Sequence, residues 1–265
     1  MARGRTEKVL TTRFGAGAGR SLDELIVEEP LSIRLDDNLV ATTMRTPGHD
    51  FELAAGFCFT EGLLAGAPVT TCRYCATGAA VETGFNVVSV ETGGRAPVPT
   101  PRLGTTTSSC GLCGSASIDE LAERLAPLRD AHPFALDTLA SMPDRVQPRQ
   151  PLFAATGAVH AAAAFDASAE VVLVREDVGR HNAVDKVVGR LLLDDRLPAS
   201  TLGLFVSGRA SFEIVQKAWA AGFGTIVAVS APTALAVETA RRAGILLAGF
   251  VRDGRLNVYA PERLD

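Results

Sequence analysis

The chain has 265 residues, 47% of them hydrophobic and 21% charged, enough to bury a substantial core in one large or two modest domains. A net charge of -4 argues against a protein that coats nucleic acid. No apolar run approaches the ~20 residues of a membrane span, and the start lacks the apolar h-region of a signal peptide, so the expected location is cytoplasmic with no membrane partner.

Residues 1–20 carry Arg3, Arg5, Lys8, Arg13 and Arg20 against Glu7, with Gly15, Gly17 and Gly19 among them, and read as a flexible N-terminal tail. The runs LIVEEPLSIRL and NLVATTMRT flank Asp36-Asp37-Asn38 and predict a hairpin. Pro47-Gly48-His49-Asp50 breaks the chain. Phe51 to Leu64 then places Leu53, Ala54, Phe57, Cys58 and Leu64 on one helical face despite Gly56. Val69 to Val90 reads as strands, clearest at Val87, Val88 and Val90, and the proline-rich stretch Gly93 to Gly104 is the candidate linker. The expected organisation is a smaller, strand-rich N-terminal subdomain over 21–104 and an α/β main domain over 105–265.

Thr105-Thr106-Thr107-Ser108-Ser109 leads into Cys110-Gly111-Leu112-Cys113-Gly114, the thiol loop at the start of that main domain. A capping box, Ser117 with Glu120, and the stripe Ile118, Leu121, Leu125 and Leu128 predict a helix immediately after it. Thiols before a helix N-terminus feel partial positive charge, which lowers a cysteine pKa from ~8.5 towards neutrality. Met142 to Pro151, with Pro143, Pro148 and Pro151, reads as a loop. Ala158 to Phe165 and Val171 to Glu176 flank Asp166-Ala167-Ser168 as a hairpin. Asn182 is the expected cap of a helix bearing Val184, Val187, Val188, Leu191 and Leu192. Leu202 to Val206 and Thr225 to Ser230 read as strands, and Phe212 to Ala221 and Ala234 to Ala243 as helices stopped by Gly222 and Gly244. Ile245 to Val251 and Leu256 to Ala260 are strands joined through Asp253-Gly254. The alternation predicts a three-layer α/β domain with a largely parallel sheet.

Cysteines 58, 72, 75, 110 and 113 in a reducing compartment point to metal binding, catalysis or burial rather than to structural disulfides. Cys-x-x-Cys alone serves redox exchange, half a zinc site, persulfide transfer or packing. Cys72 and Cys75 form a second pair, and the 34 residues between Cys75 and Cys110 exceed the ~15–20 of a tidy zinc ribbon without forbidding a four-cysteine site. Cys58 lies on an apolar face and reads as buried.

Arg175-Glu176-Asp177-Val178-Gly179-Arg180-His181-Asn182 follows a strand and enters a helix, where open α/β sheets bind ligands. Arg180 can fork onto a phosphate, His181 can exchange protons, and Asp177 or Asp185 can read a purine edge or hold an arginine; an ion-pair network closing a loop is the other reading. Ser207-Gly208-Arg209-Ala210-Ser211 repeats the geometry without the Gly-Lys-Ser/Thr ending of a Walker loop. Ser230 and Thr233 serve equally as cleft residues or helix caps. Arg252 and Arg255 flank a turn and can clamp a pyrophosphate or simply be solvated. His160, in an alanine run, reads as a core residue or a cleft one.

Together SSCGLCG at 108–114, TGAVHAA at 156–162, REDVGRHNAVDKVVG at 175–189, SGRASFEIVQKAWAAG at 207–222 and AGFVRDGRLNVY at 248–259 resemble the FdhD-type formate dehydrogenase accessory sulfurtransferases, as does PGHDFELAAGFCFTEGL within 31–64. The resemblance implies a homodimer whose main domain is built like cytidine deaminase. It implies that a cysteine desulfurase hands persulfide sulfur to the Cys-x-x-Cys loop. The sulfur then passes to Mo-bis(molybdopterin guanine dinucleotide), a bound substrate rather than a permanently held cofactor, before insertion into formate dehydrogenase. Cys110 would bear the persulfide and Cys113 would assist, although proximity to the capped helix favours Cys113. Phe250, Val251, Arg252, Asp253, Gly254 and Arg255 would form part of the guanine dinucleotide site, and Arg180, His181, Asn182, Ser207, Gly208 and Arg209 would line the same anionic cleft. Deamination is not expected, because Ala161 and Ala162 follow His160 where zinc deaminases carry His-x-Glu, and no Pro-Cys-x-x-Cys follows. Two alternatives remain: a zinc-stabilised binding module using cysteines 72, 75, 110 and 113, and a non-catalytic cofactor chaperone.

Overall fold

The computed structural model describes residues 4–15, 17–74, 84–99, 119 and 121–260. In chain order its elements are β1 Thr6–Arg13, β2 Gly19–Ile26, β3 Glu29–Leu35, β4 Asn38–Arg45, α1 Asp50–Thr60, β5 Thr71–Tyr74 and β6 Val87–Glu91. They continue with α2 Leu136–Val146, α3 Pro151–Thr156, β7 His160–Phe165, β8 Val171–Asp177, α4 Arg180–Leu193, β9 Gly203–Val206, α5 Phe212–Ala221, β10 Thr225–Ala228, α6 Ala234–Ala243, β11 Leu246–Arg252 and β12 Arg255–Ala260. The fold class is α/β, as expected.

The main domain is a six-stranded sheet in the order β12-β11-β10-β9-β7-β8. Its strands are apolar on both faces because both are covered. Leu204, Val206, Ile226, Ala228 and Leu247 face α4, α5 and α6, while Phe205, Val227, Leu246 and Ala248 face Leu139, Met142 and Val146 of α2. The period of two along each strand thus builds two cores and three layers. Residues 121–124 are helical, and Leu121, Leu125 and Leu128 join the first core as the stripe predicts; Ser117, Ile118 and Glu120 lie outside the described residues.

The smaller unit is a four-stranded sheet, β4-β3-β6-β5, covered by α1. Leu31, Ile33 and Leu35 of β3 meet Val88 and Val90 of β6 and Leu53, Ala54 and Cys58 of α1. Asp36 and Asp37 turn the β3–β4 hairpin at φ 43 and 67, as two left-handed residues do in a two-residue turn. The opposite side of α1 crosses α4 at a pair of glycines, Gly56 and Gly189, where no side chain fits between the backbones.

Four expectations are corrected. Residues 1–20, read as a tail, contain β1 and the start of β2, which pair antiparallel from Thr6↔Ile26 to Arg13↔Gly19. Thr6 donates to Glu24 Oε1 at 2.6 Å, and Gly15 and Gly17 turn the chain at positive φ. Met142–Pro151, read as a loop, is mostly helical. Pro143 sits within α2 because Leu139, Met142 and Val146 bury one face, and Pro151 takes the first position of α3, where its missing N–H costs nothing. The sheet is mixed rather than largely parallel: only β9–β10 and β10–β11 are parallel neighbours, and β7 and β12 run against them. Gly179, not Asn182, is the N-cap of α4.

Candidate functional site

The carboxyl ends of β8, β9, β10 and β11 share one edge of the large sheet, and the register His160↔Asp177 brings the start of β7 to it. The segments leaving that edge are the stretches singled out in the sequence: 177–182, 207–211, 229–233 and 252–255. Open α/β sheets bind ligands at such an edge because strand carbonyls end there and helix N-termini begin.

Gly208 stands between His160 and Arg180: a Cβ on it would lie 3.4 Å from His160 Nδ1 and 3.7 Å from Arg180 Cδ. Arg180 Nε is buried and has no partner among the described residues. His181 Nε2 lies 3.3 Å from Ser211 Oγ and 3.7 Å from Glu213 Oε2. Burial, then the cations of Arg180 and Lys217, push its pKa down to about 4, so the ring is neutral at pH 7. Burial and Arg180 likewise lower His160. Ser207 Oγ accepts the Ala161 N–H at 2.9 Å, Arg209 is exposed, and Thr233 caps α6 by accepting from Ala236 N. Glu213 was not singled out in the sequence; its place two residues after Ser211, in the first turn of α5, is the signal that could have found it.

Part of the polar string 175–189 serves another purpose. Asn182 donates to Met44 O at 2.7 Å and to Asp177 Oδ1 at 3.0 Å, so it ties α4 to β4 rather than facing a cleft. Lys186, wholly buried, lies 2.6 Å from Asp177 Oδ2 and donates to Thr46 O at 3.0 Å. Lys217 lies 3.0 Å from Asp185 Oδ1 and 3.2 Å from Glu61 Oε1. With two carboxylates sharing one ammonium, burial raises Asp185 to about 6. Arg175 forks onto Glu52 at 2.5 and 2.8 Å. Burial alone would raise the Glu52 carboxyl, but hydrogen bonds from Arg175 and His49 bring it down to about 2. These groups are the ion-pair network, and they join the two units.

The candidate cofactor residues fall in separate places along the edge. One cavity of about 580 Å³ lies between α2, α3 and the ends of β9 and β10, lined among others by Gln147, Gln150, Phe153, His160, Ser207 and Val229. A second, of about 480 Å³, is formed by the β11–β12 hairpin: Phe250, Arg252, Asp253, Arg255, Leu256 and Asn257. Arg252 and Arg255 are register partners, the facing pair expected from sequence. Val251 is wholly buried and belongs to the core, and Gly254 forms the turn at φ 69. Phe250 holds φ 54, a left-handed conformation costly for an aromatic residue, with its N–H donated to Ser230 O at 3.2 Å and its side chain exposed. Gln147, Gln150 and Phe153 were missed because the prolines masked the helices that carry them.

Cys75, Cys110 and Cys113 lie outside the described residues. Cys58 is buried, as expected, and burial raises its pKa; burial pushes the half-buried Cys72 thiol up to about 11. Among the described residues no group of three His, Cys, Asp or Glu side chains is placed to hold a metal ion, and no helix is long and apolar enough to cross a membrane.

The fold and its edge define an α/β protein with an arginine-lined cavity at the strand ends and a strand-rich unit locked beside it. The FdhD/NarQ family model matches residues 26–265, and the chain belongs to that family. It is 49% identical to the sulfur carrier protein FdhD of Streptomyces avermitilis, covering 96% of this chain and 93% of the relative. It is 45% identical to the protein of the same name from Mycolicibacterium paratuberculosis, covering 96% of each. A crystal structure from Desulfotalea psychrophila, described as a formate dehydrogenase accessory protein, superposes with a TM-score of 0.74 at 26% identity and covers 98% of both chains.

Proposed function

We propose that this chain is a sulfur carrier for formate dehydrogenase maturation. It accepts persulfide sulfur from a cysteine desulfurase on Cys110, with Cys113 assisting, and passes it to Mo-bis(molybdopterin guanine dinucleotide) held as substrate. It acts in the cytoplasm as a homodimer. In the first step the Cys110 thiolate attacks the terminal sulfur of the desulfurase persulfide, forming a new persulfide and releasing the donor thiolate. The observation that supports this most is the pairing, in one chain, of Cys110-Gly111-Leu112-Cys113 with a strand edge whose hairpin presents Arg252 and Arg255 to an open cavity. A thiol exchanger has no use for that anion site, whereas a pyrophosphate-linked substrate does.

In cells lacking the native carrier, Cys110→Ala is expected to leave formate dehydrogenase inactive, and mass spectrometry after incubation with desulfurase and cysteine to place one added sulfur on Cys110 in the unaltered chain. Active, sulfurated enzyme from the Cys110→Ala strain would overturn the proposal. A chaperone that only holds the cofactor is the second reading; it predicts full maturation with Cys110 and Cys113 both changed to serine.

A further inference from the structure

We propose that the outer edge of β1 is a strand-pairing surface for a second copy of this chain. The two β1 strands run antiparallel about a two-fold axis at Leu10 and join their hairpins into one four-stranded sheet; this rests on the homodimer reading above and adds where the copies meet. The hairpin ends at residue 26, where the match to the family model begins.

The edge is open. β1 and β2 form a sheet of their own, so among the described residues β1 has a strand neighbour on one side only. An isolated two-stranded sheet is marginal in water, and edges that stay single are blunted by prolines, bulges or lysines. The β1 sequence, TEKVLTTR, holds no proline and one lysine, and its eight pairs with β2 run without a register shift. Leu10 and Leu22 are register partners on one face, 58% and 65% exposed, and Phe14 just beyond them is 91% exposed. Apolar side chains grouped in this way mark an interaction surface.

Backbone alternation fixes which groups face the partner. Val27 donates its N–H to the Arg5 carbonyl at 2.9 Å, continuing the register of the hairpin. Hydrogen-bonded pairs alternate along an antiparallel ladder, so Glu7, Val9, Thr11 and Arg13 turn their N–H and C=O towards β2, and Thr6, Lys8, Leu10 and Thr12 turn theirs outward. A second β1 must match outward residues with outward residues. That leaves two-fold registers centred on Val9, Leu10 or Thr11 near the middle of the strand.

Charge chooses among them. Centred on Val9, the pairing sets Arg5 opposite Arg13 of the second copy, a like-charge pair formed twice. Centred on Thr11, it sets Val9 opposite Arg13. Centred on Leu10, it sets Glu7 opposite Arg13, an attractive pair formed twice, with Lys8 opposite Thr12 and Leu10 opposite itself. The same register runs Leu22, Leu10, Leu10 and Leu22 in one row across the joined sheet and carries Phe14 towards Thr6 of the second copy. A strand complementary to itself in this way makes the closed, isologous contact of a two-fold dimer.

The test is the dimer dissociation constant of the purified full chain, measured by analytical ultracentrifugation. Glu7→Arg and Arg13→Glu, both at exposed positions, are each expected to weaken the dimer at least about tenfold, since each sets two like-charge pairs across the axis. The double variant Glu7→Arg/Arg13→Glu is expected to restore it, which a misfolded chain would not do. Leu10→Pro, which removes an outward N–H and no bond to β2, is expected to weaken the dimer at least about tenfold as well. Under oxidation by copper phenanthroline, Leu10→Cys is expected to give a covalent dimer that the unaltered chain does not. Thr12→Cys, roughly 13 Å along the strand from its symmetry mate, is expected to give none. A dimer unmoved by these changes, with no cross-link through Leu10→Cys, overturns the inference and leaves the homodimer reading standing. A chain that stays monomeric overturns both, and neither result bears on sulfur transfer through Cys110. A chain that sediments with phosphatidylglycerol vesicles, with a mass the charge-reversal variants leave unchanged, assigns the hairpin to a lipid surface and also overturns the inference.

Discussion

Replacing Gly56 by alanine tests the reasoning about how the two units are joined. A Cβ at Gly56 would lie 1.9 Å from the Asp185 carbonyl oxygen and 2.8 Å from the Gly189 nitrogen, and one at Gly189 would lie 1.8 Å from the Glu52 oxygen. Both atoms struck are helix backbone, so relief requires α1 and α4 to part by about 1 Å. In an isolated helix glycine to alanine stabilises by roughly 0.5–1 kcal/mol, so the intrinsic preference opposes the clash. Overpacking costs about 1–3 kcal/mol, and parting the helices also lengthens the Arg175–Glu52 pair and the Thr60–Asp185 hydrogen bond, which tie α1 to the large unit. We expect a net loss of about 3 kcal/mol, a fall in Tm of roughly 6–12 °C for a chain of this size. Circular dichroism melts and urea titrations read it directly, and Gly189→Ala should behave alike. The double variant should lose less than the sum, since one displacement relieves both clashes. A Gly56→Ala protein that melts at or above the unaltered one refutes the crossing.

Lys186→Met should cost about 3–5 kcal/mol in urea titrations, because it strands the buried Asp177 carboxylate, whereas Arg190→Met, which removes the exposed pair with Asp194, should cost less than about 1 kcal/mol. His181 is held at about 4 when folded against an ordinary 6.5, so the unfolded chain binds more protons between those values; the contribution is complete above pH 6.5 and lost as pH falls towards 4, on the order of 2–3 kcal/mol. Asp185, raised to about 6, has the opposite slope, so the difference between stability curves of the unaltered and His181→Asn proteins isolates the histidine, and a difference flat between pH 7 and 4 would refute it. Arg252→Ala and Arg255→Ala should each weaken guanosine diphosphate about tenfold in titrations, with a shallower salt dependence, and equal affinity for all three proteins would remove the anion site.

Where a segment's local chemistry and its tertiary use agree, the sequence was legible. Phe212–Ala221 and Ala234–Ala243 begin and end where predicted because Gly222 and Gly244 adopt φ 84 and 69, conformations that stop a helix wherever it is packed. Asp253-Gly254 made its hairpin for the same reason. Met142–Pro151 was misread because proline punctuates locally, while the burial of Leu139, Met142 and Val146 that overrides it depends on a sheet not visible in the segment. The basic, glycine-bearing start was misread because it is the pairing of β1 with β2, not composition, that orders it.

The string 175–189 carries the harder lesson, since it mixes two uses of the same residue types. Asp177 closes β8 at the sheet edge, and its carboxylate receives Thr46 N, Gly179 N and Asn182 Nδ2 as well as the Lys186 ammonium. Thr46 comes from the smaller unit, and its hydroxyl in turn receives Val178 N at 3.1 Å. The chain from Asp177 to Arg180 is therefore held from both sides of the joint before any ligand arrives. Arg180 leaves this clamp with Nε unpartnered and its stem beside Gly208 and His160. A guanidinium that must meet an anion gains from being positioned in advance, because the ordering cost falls on folding rather than on binding. Among the described residues the strand-rich unit thus shapes the strand ends without lining either cavity, and the density of charge in the string reflects the clamp.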